Sequence, residues 1–164
     1  VHFDFRLSNV LAYQQGLKII DLEFVGIGDP RWDVGSLVAA ILEEWLLSAP
    51  LGGQAGYRHH LDKARFDKQS TRDAIHNALQ GYWSYENAPA MSYPDIVRFA
   101  GARLLHSAYE FAASDVEASA PVASLAALGV ELLVMPEGDM SKSLGLTISA
   151  EDMEATGADR QRCS

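Results

Sequence analysis

The apolar positions of this chain keep two different spacings, and the change between them divides it. Near the N-terminus two short apolar runs, residues 9–13 (NVLAY) and 17–21 (LKIID), are separated by Gln14, Gln15 and Gly16. Runs of that length on either side of a glycine predict a β-hairpin, with Gly16 supplying a positive φ. The loop 1–8 enters the hairpin and Asp21 ends it. Asn9 and Asp21 therefore fall at the same open end of two paired strands, where two oxygen ligands side by side can hold one hard cation.

Gly26, Gly28 and Pro30 then break regular structure, and after Asp33 the spacing becomes three and four. Val34, Leu37, Val38, Ile41, Leu42, Trp45 and Leu46 predict a buried helix with Asp33 at its N-cap. Residues 48–56 (SAPLGGQAG) read as a loop, and residues 57–68 as a polar helix anchored by Tyr57, Leu61 and Phe66. Ser70 and Asp73 resemble a capping box ahead of the stripe Ile75, Leu79, Tyr82 and Trp83. Pro94 suits the first turn of a helix carrying Val97, Ala100, Leu104, Ala108 and Phe111. Val122, Leu125, Ala126, Leu132 and Leu133 mark a last helix that Pro136 ends. The expectation is an α+β fold that is mainly α, a small hairpin plus about five helices over residues 1–136. Residues 137–164 are polar with scattered apolar positions, the pattern of a disordered tail.

Composition narrows the function classes. At 164 residues, 48% hydrophobic and 21% charged, the chain can bury one ordinary globular core. A formal charge of −9 argues against a nucleic-acid surface. No apolar run is long enough to cross a bilayer, so no membrane partner is expected. A single cysteine, Cys163, forms no internal disulfide and fits a reducing, cytoplasmic setting. The chain opens without methionine, and its first motif starts at the second residue. That placement gives the expectation of the C-terminal part of something longer.

The chemistry concentrates in residues 2–33. His2-x-Asp4-x4-Asn9 is followed by Ile20-Asp21, then Gly28-Asp29-Pro30 and Asp33. Phosphoryl transfer asks for such a set, an acid to orient the attacking hydroxyl and oxygen ligands for magnesium on the polyphosphate.

HFDFRLSN followed by IIDLEFVGIGDPRWDVGSL resembles the C-terminal lobe of the aminoglycoside phosphotransferase and choline kinase group, relatives of protein kinases. The resemblance implies a protein-kinase-like C-terminal lobe that transfers phosphate from ATP, with Mg2+, to an alcohol. The acceptor would be an aminoglycoside, a choline-like or sugar alcohol, or a peptide hydroxyl. It implies that Asp4 positions the acceptor hydroxyl and that Asn9 and Asp21 coordinate magnesium bridging the ATP phosphates. Glu23 would be a further metal or water ligand if the strand continues past Asp21, since it then points to the same side. Arg6 sits where a cation could counter the charge of the transferring phosphoryl group. Phe3 departs from the family pattern, which has glycine after the motif histidine. The family's glycine-rich loop, ATP-binding lysine and adenine hinge belong to an N-terminal lobe absent from this chain, which would be a required partner.

Plainer readings stand beside these. His2 reads as a brace, and Asp29 and Asp33 as structural, Asp33 either capping the helix or accepting backbone N–H groups of the motif loop. Glu23 could be a solvated acid and Arg6 a local ion-pair partner. His59 and His60 are adjacent without cysteine, a poor zinc set. Trp32, Trp45 and Trp83 suit core positions or pocket walls. Glu43, Glu44, Asp62, Asp67 and Asp73 are either a solvated surface or, if gathered near Asp4, a site for a polycation. The rival to an enzyme is a non-catalytic kinase-like fragment that acts by binding.

Overall fold

The computed structural model describes residues 1–50, 61–114 and 120–140. Two strands, β1 (Val10–Tyr13) and β2 (Gly16–Ile19), pair antiparallel with Val10 opposite Ile19 and Tyr13 opposite Gly16. Gly16 carries a φ of 146°, as the turn requires. The helices are α1 (Arg31–Leu47), α2 (Lys68–Ser84), α3 (Tyr93–Ser114), α4 (Ala120–Val134) and the single turn α5 (Glu137–Met140). The fold is thus mainly helical with one small sheet among the described residues.

The core lies where α3 packs between α1 and α4, with α2 on the far side of α1. Val38, Leu42, Trp45, Ile75, Leu79, Ile96, Leu104, Leu125 and Leu128 fill it. Removing such side chains from water drives the packing, at about 25 cal/mol per Å² of apolar surface. Gly35 lets α1 approach α3 closely, for a Cβ added there would stand 2.9 Å from the Ala100 nitrogen. Trp45 and Trp83 therefore take core or near-core positions rather than pocket walls.

Several expectations shift. The first buried helix starts before Asp33: Asp29 Oδ1 accepts the Arg31 N–H at 2.9 Å and Pro30 is the cap residue. The cap of α2 is Asp67, which accepts the Ser70 N–H at 2.8 Å, while Asp73 accepts from Gln69. The Ser70–Asp73 box fails because the helix has already begun two residues earlier, at Lys68. Phe111 is 41% exposed, since α3 outlasts its buried stripe, which ends at Ala108. Residues 137–140 are helical where a disordered tail was expected, for α5 follows Pro136 directly and buries Met140. The remaining tail reading, residues 141–164, and the parts of the loop and polar helix at residues 51–60 with His59 and His60, lie outside the described residues.

The hairpin is almost wholly exposed on both faces. A lone two-stranded sheet is marginal in water, so its base must be pinned elsewhere. His2 and Asn9 do this at the end that carries the motif. Among the described residues no helix is long and apolar enough to cross a membrane.

Candidate active site

The loop 1–9 folds on itself before it reaches β1. Arg6 N–H donates to the Asp4 carbonyl and Asn9 N–H to the Arg6 carbonyl, both at 3.0 Å. Val1 and Gly26 exchange backbone hydrogen bonds at 2.9 and 3.0 Å, tying the loop to the segment after the hairpin. Asp33, in the first turn of α1, accepts the His2 N–H at 2.6 Å and the Phe3 N–H at 2.9 Å, one on each carboxylate oxygen. Of its two expected roles the second holds, and Asp33 clamps the loop instead of capping the helix. Trp32 Nε1 adds a bond to the Phe3 carbonyl at 2.8 Å.

Under this clamp Phe3 takes a φ of 67°, the left-handed region that glycine enters without cost. The Phe3 ring lies over Gly28, where any Cβ would collide with it. His2 is buried, and its Nε2 donates to the Ile20 carbonyl at 2.9 Å. The imidazole thereby joins the loop to the end of β2.

Asp4 comes out of this frame with its carboxylate held from three directions. Arg6 donates to Oδ1 through Nε at 2.8 Å, and its Nη2 forms an ion pair with the same oxygen at 2.6 Å. Asn9, buried, donates Nδ2 to Asp4 Oδ2 at 3.1 Å and to the Asp4 carbonyl at 2.9 Å. Arg103 Nη2 approaches Oδ1 at 3.4 Å. Burial works against the Arg6 charge, but Asp4 and then Glu110 outweigh it and hold the guanidinium pKa above its ordinary value.

Ile20 N–H donates to the Asn9 carbonyl at 3.0 Å, so Asn9 and Asp21 do flank the open end of the hairpin. Asp21 itself is left-handed, with φ 63° and ψ 57°, and exposed. The strand does not continue past it: Leu22–Phe24 form a 3-10 turn. The strand geometry that put Glu23 on the side of Asp21 is therefore absent, and Glu23 sits exposed in that turn. Asn9 spends its amide N–H groups on Asp4, which leaves Oδ1 as its atom for a cation. Among the described residues no three His, Cys, Asp or Glu side chains gather as a metal cage. Asn9 Oδ1 and the exposed Asp21 carboxylate are the oxygens at this end that could hold a hard cation, one that keeps waters and phosphates as its other ligands.

A pocket of about 140 Å³ opens beside the loop, lined by Arg6, Leu7, Ser8, Ser36, Glu43 and Arg103 among others. Ser36 Oγ is buried without a hydrogen-bond partner, and Glu44 completes an acidic wall. The other acids are apart: Asp67 caps α2, Asp73 bonds Gln69, and Asp62 is exposed. Only Glu43 and Glu44 of the five thus lie on this pocket.

Sequence reasoning missed Arg103, His106 and Glu110, which α3 brings to Arg6 and Asp4. A signal was present. Arg103 and Ser107 interrupt the buried stripe Ile96, Ala100 and Leu104.

Residues 1–72 match the phosphotransferase enzyme family, which bears out the resemblance carried by the motifs. The match ends inside α2, so α3 with Arg103 lies beyond it. No curated protein and no solved structure matches the chain.

Proposed function

We propose that this chain is the acceptor-side lobe of an ATP-dependent kinase that phosphorylates an alcohol. The observation that carries the reading is Asp4, a carboxylate oriented by Arg6 and Asn9 on a loop clamped to α1, inside the matched family stretch. The acceptor hydroxyl would approach Asp4, which takes its proton as the oxygen attacks the γ-phosphorus. The bond from that phosphorus to the β–γ bridging oxygen breaks, its electron pair leaves with ADP, and the proton passes from Asp4 to solvent.

Arg6 stands beside Asp4 to offset charge on the transferring group. Asn9 Oδ1 and the Asp21 carboxylate would hold magnesium, and Glu23 would act through a water molecule. Bound there, the ion would neutralise phosphate oxygens and orient them. The adenine and triphosphate would need an N-terminal lobe to complete the site. The pocket along Glu43 and Glu44 offers the acceptor a recess, lined by these two acids and by Arg6 and Arg103.

The test compares two substitutions in the protein that carries this chain. Asp4→Asn should leave Mg-ATP affinity nearly intact while kcat falls about 10²–10⁴-fold, the span of general-base contributions. Asp21→Asn should weaken Mg-ATP binding itself, by removing a charged ligand. Equal and small effects from both would make the motif a scaffold, and the chain a binding module.

A further inference from the structure

We propose that Arg103 is the positioning residue of Asp4 and that Glu110 balances it; the proposal rests on the kinase reading above. Arg103 is 4% exposed, and an arginine is almost never buried unless paired. Its guanidinium reaches Asp4 Oδ1 at 3.4 Å through Nη2, and Glu110 Oε2 at 3.4 Å through Nη1 and 3.5 Å through Nη2. It also contacts His106 Nδ1. Arg6 completes the figure, with Nη2 at 2.6 Å from Asp4 Oδ1 and at 3.4 Å from both Glu110 oxygens. Asp4, Arg6, Glu110 and Arg103 thus form a closed ring of two carboxylates and two guanidiniums.

The ring decides how Asp4 can work. Both cations draw on Oδ1, while Oδ2 is held only by the Asn9 amide. The carboxylate plane is therefore fixed, and Oδ2 is the oxygen left to face the acceptor hydroxyl. Glu110 shares the two guanidiniums, so Asp4 is oriented without facing an uncompensated double positive charge. Arg103 borders the recess, but its guanidinium is engaged by Asp4, Glu110 and His106, which makes it a positioning residue. Arg103 lies 99 residues from Asp4, so α3 adds a hold on the Asp4 carboxylate to the clamp that Asp33 of α1 places on the motif loop.

The experiment is a double-mutant cycle on kcat in the protein that carries this chain, with residual rates read from radiolabelled ATP. Arg103→Met should lower kcat about 10–100-fold with KM for Mg-ATP within about twofold, the scale expected of a misplaced catalytic group. Arg103→Lys should restore part of that loss. In an Asp4→Asn background Arg103→Met should cost nothing further, because it acts through Asp4. Equal losses in both backgrounds would overturn the proposal and leave Arg103 a purely structural ion-pair partner. Should Arg103→Met fail to fold, Glu110→Gln serves, since it too should change kcat only when Asp4 is present. An equal effect of Glu110→Gln in both backgrounds would also overturn the proposal. A wild-type protein that transfers no phosphate, or an Asp4→Asn variant of full activity, would instead sink the kinase reading itself.

Discussion

The Asp33 carboxylate accepts the Phe3 N–H at 2.9 Å, and that bond holds a phenylalanine in a left-handed conformation. The second oxygen of Asp33 takes the His2 N–H, so one side chain on α1 fixes two consecutive peptides of the motif loop. Position of the loop and position of the helix are the same variable.

Replacing Asp33 tests this directly. Asp33→Ala leaves two backbone donors without their acceptor and should cost about 1–3 kcal/mol. Asp33→Asn keeps one acceptor oxygen and should cost about half as much. Urea denaturation of the two variants reads the difference, and equal stability to the parent would mean that water replaces the clamp.

Phe3 separates backbone strain from ring packing. Phe3→Ala loses the ring over Gly28 and keeps a Cβ in the left-handed region, whereas Phe3→Gly loses the same ring and the strain with it. Phe3→Gly should therefore be the more stable of the two by about 1 kcal/mol. Thermal melts of the pair measure it, and the reverse order would rule out strain at this residue.

Gly35 stands at a close approach of α1 to α3. Gly35→Ala places a methyl group 2.9 Å from the Ala100 backbone nitrogen, an overpacking that should destabilise by about 1–3 kcal/mol. Because α1 carries Asp33 and α3 carries Arg103, the same change should lower kcat more than it raises KM. Unchanged kcat in a folded Gly35→Ala protein would count against the coupling.

Asp67 gives a pH signature. The Ser70 backbone N–H, with the Ser70 hydroxyl next, holds its carboxyl below the usual 3.8. A lowered native pKa contributes stability above the unfolded value and loses it as pH falls through the native one. Asp67→Asn should thus melt lower than the parent at neutral pH, with the gap closing well below pH 3.8. A gap that stays constant with pH would show that the charge of Asp67 does not matter to the cap.

Local features of the site could be read from the chain, and remote ones could not. The hairpin, Gly16 and the shared end of Asn9 and Asp21 follow from short-range spacing, which the backbone obeys. Asp33 was legible as structural, yet its choice between helix cap and loop clamp depended on where α1 begins, and Asp29 settles that by bonding Arg31. Glu23 shows the limit of period-two reasoning: a left-handed Asp21 ends the strand and rotates everything after it. Arg103 and Glu110 meet Asp4 only through tertiary packing, and no spacing rule spans that distance. An arginine inside a buried stripe was the sole local sign of them.

The hairpin described above has two strands and hence two open edges, and Leu17, at 70% exposed, lies on one of them. Ile27 is fully exposed, and Leu22, Phe24 and Val25 stand out beside it. Unpaired N–H and C=O groups next to an apolar surface are a template for adding strands from another molecule. The part of this protein that presents Asn9 and Asp21 therefore also carries open strand edges beside an apolar surface. Concentrated solutions should cluster through that end first, blocking the motif before the helical core is disturbed.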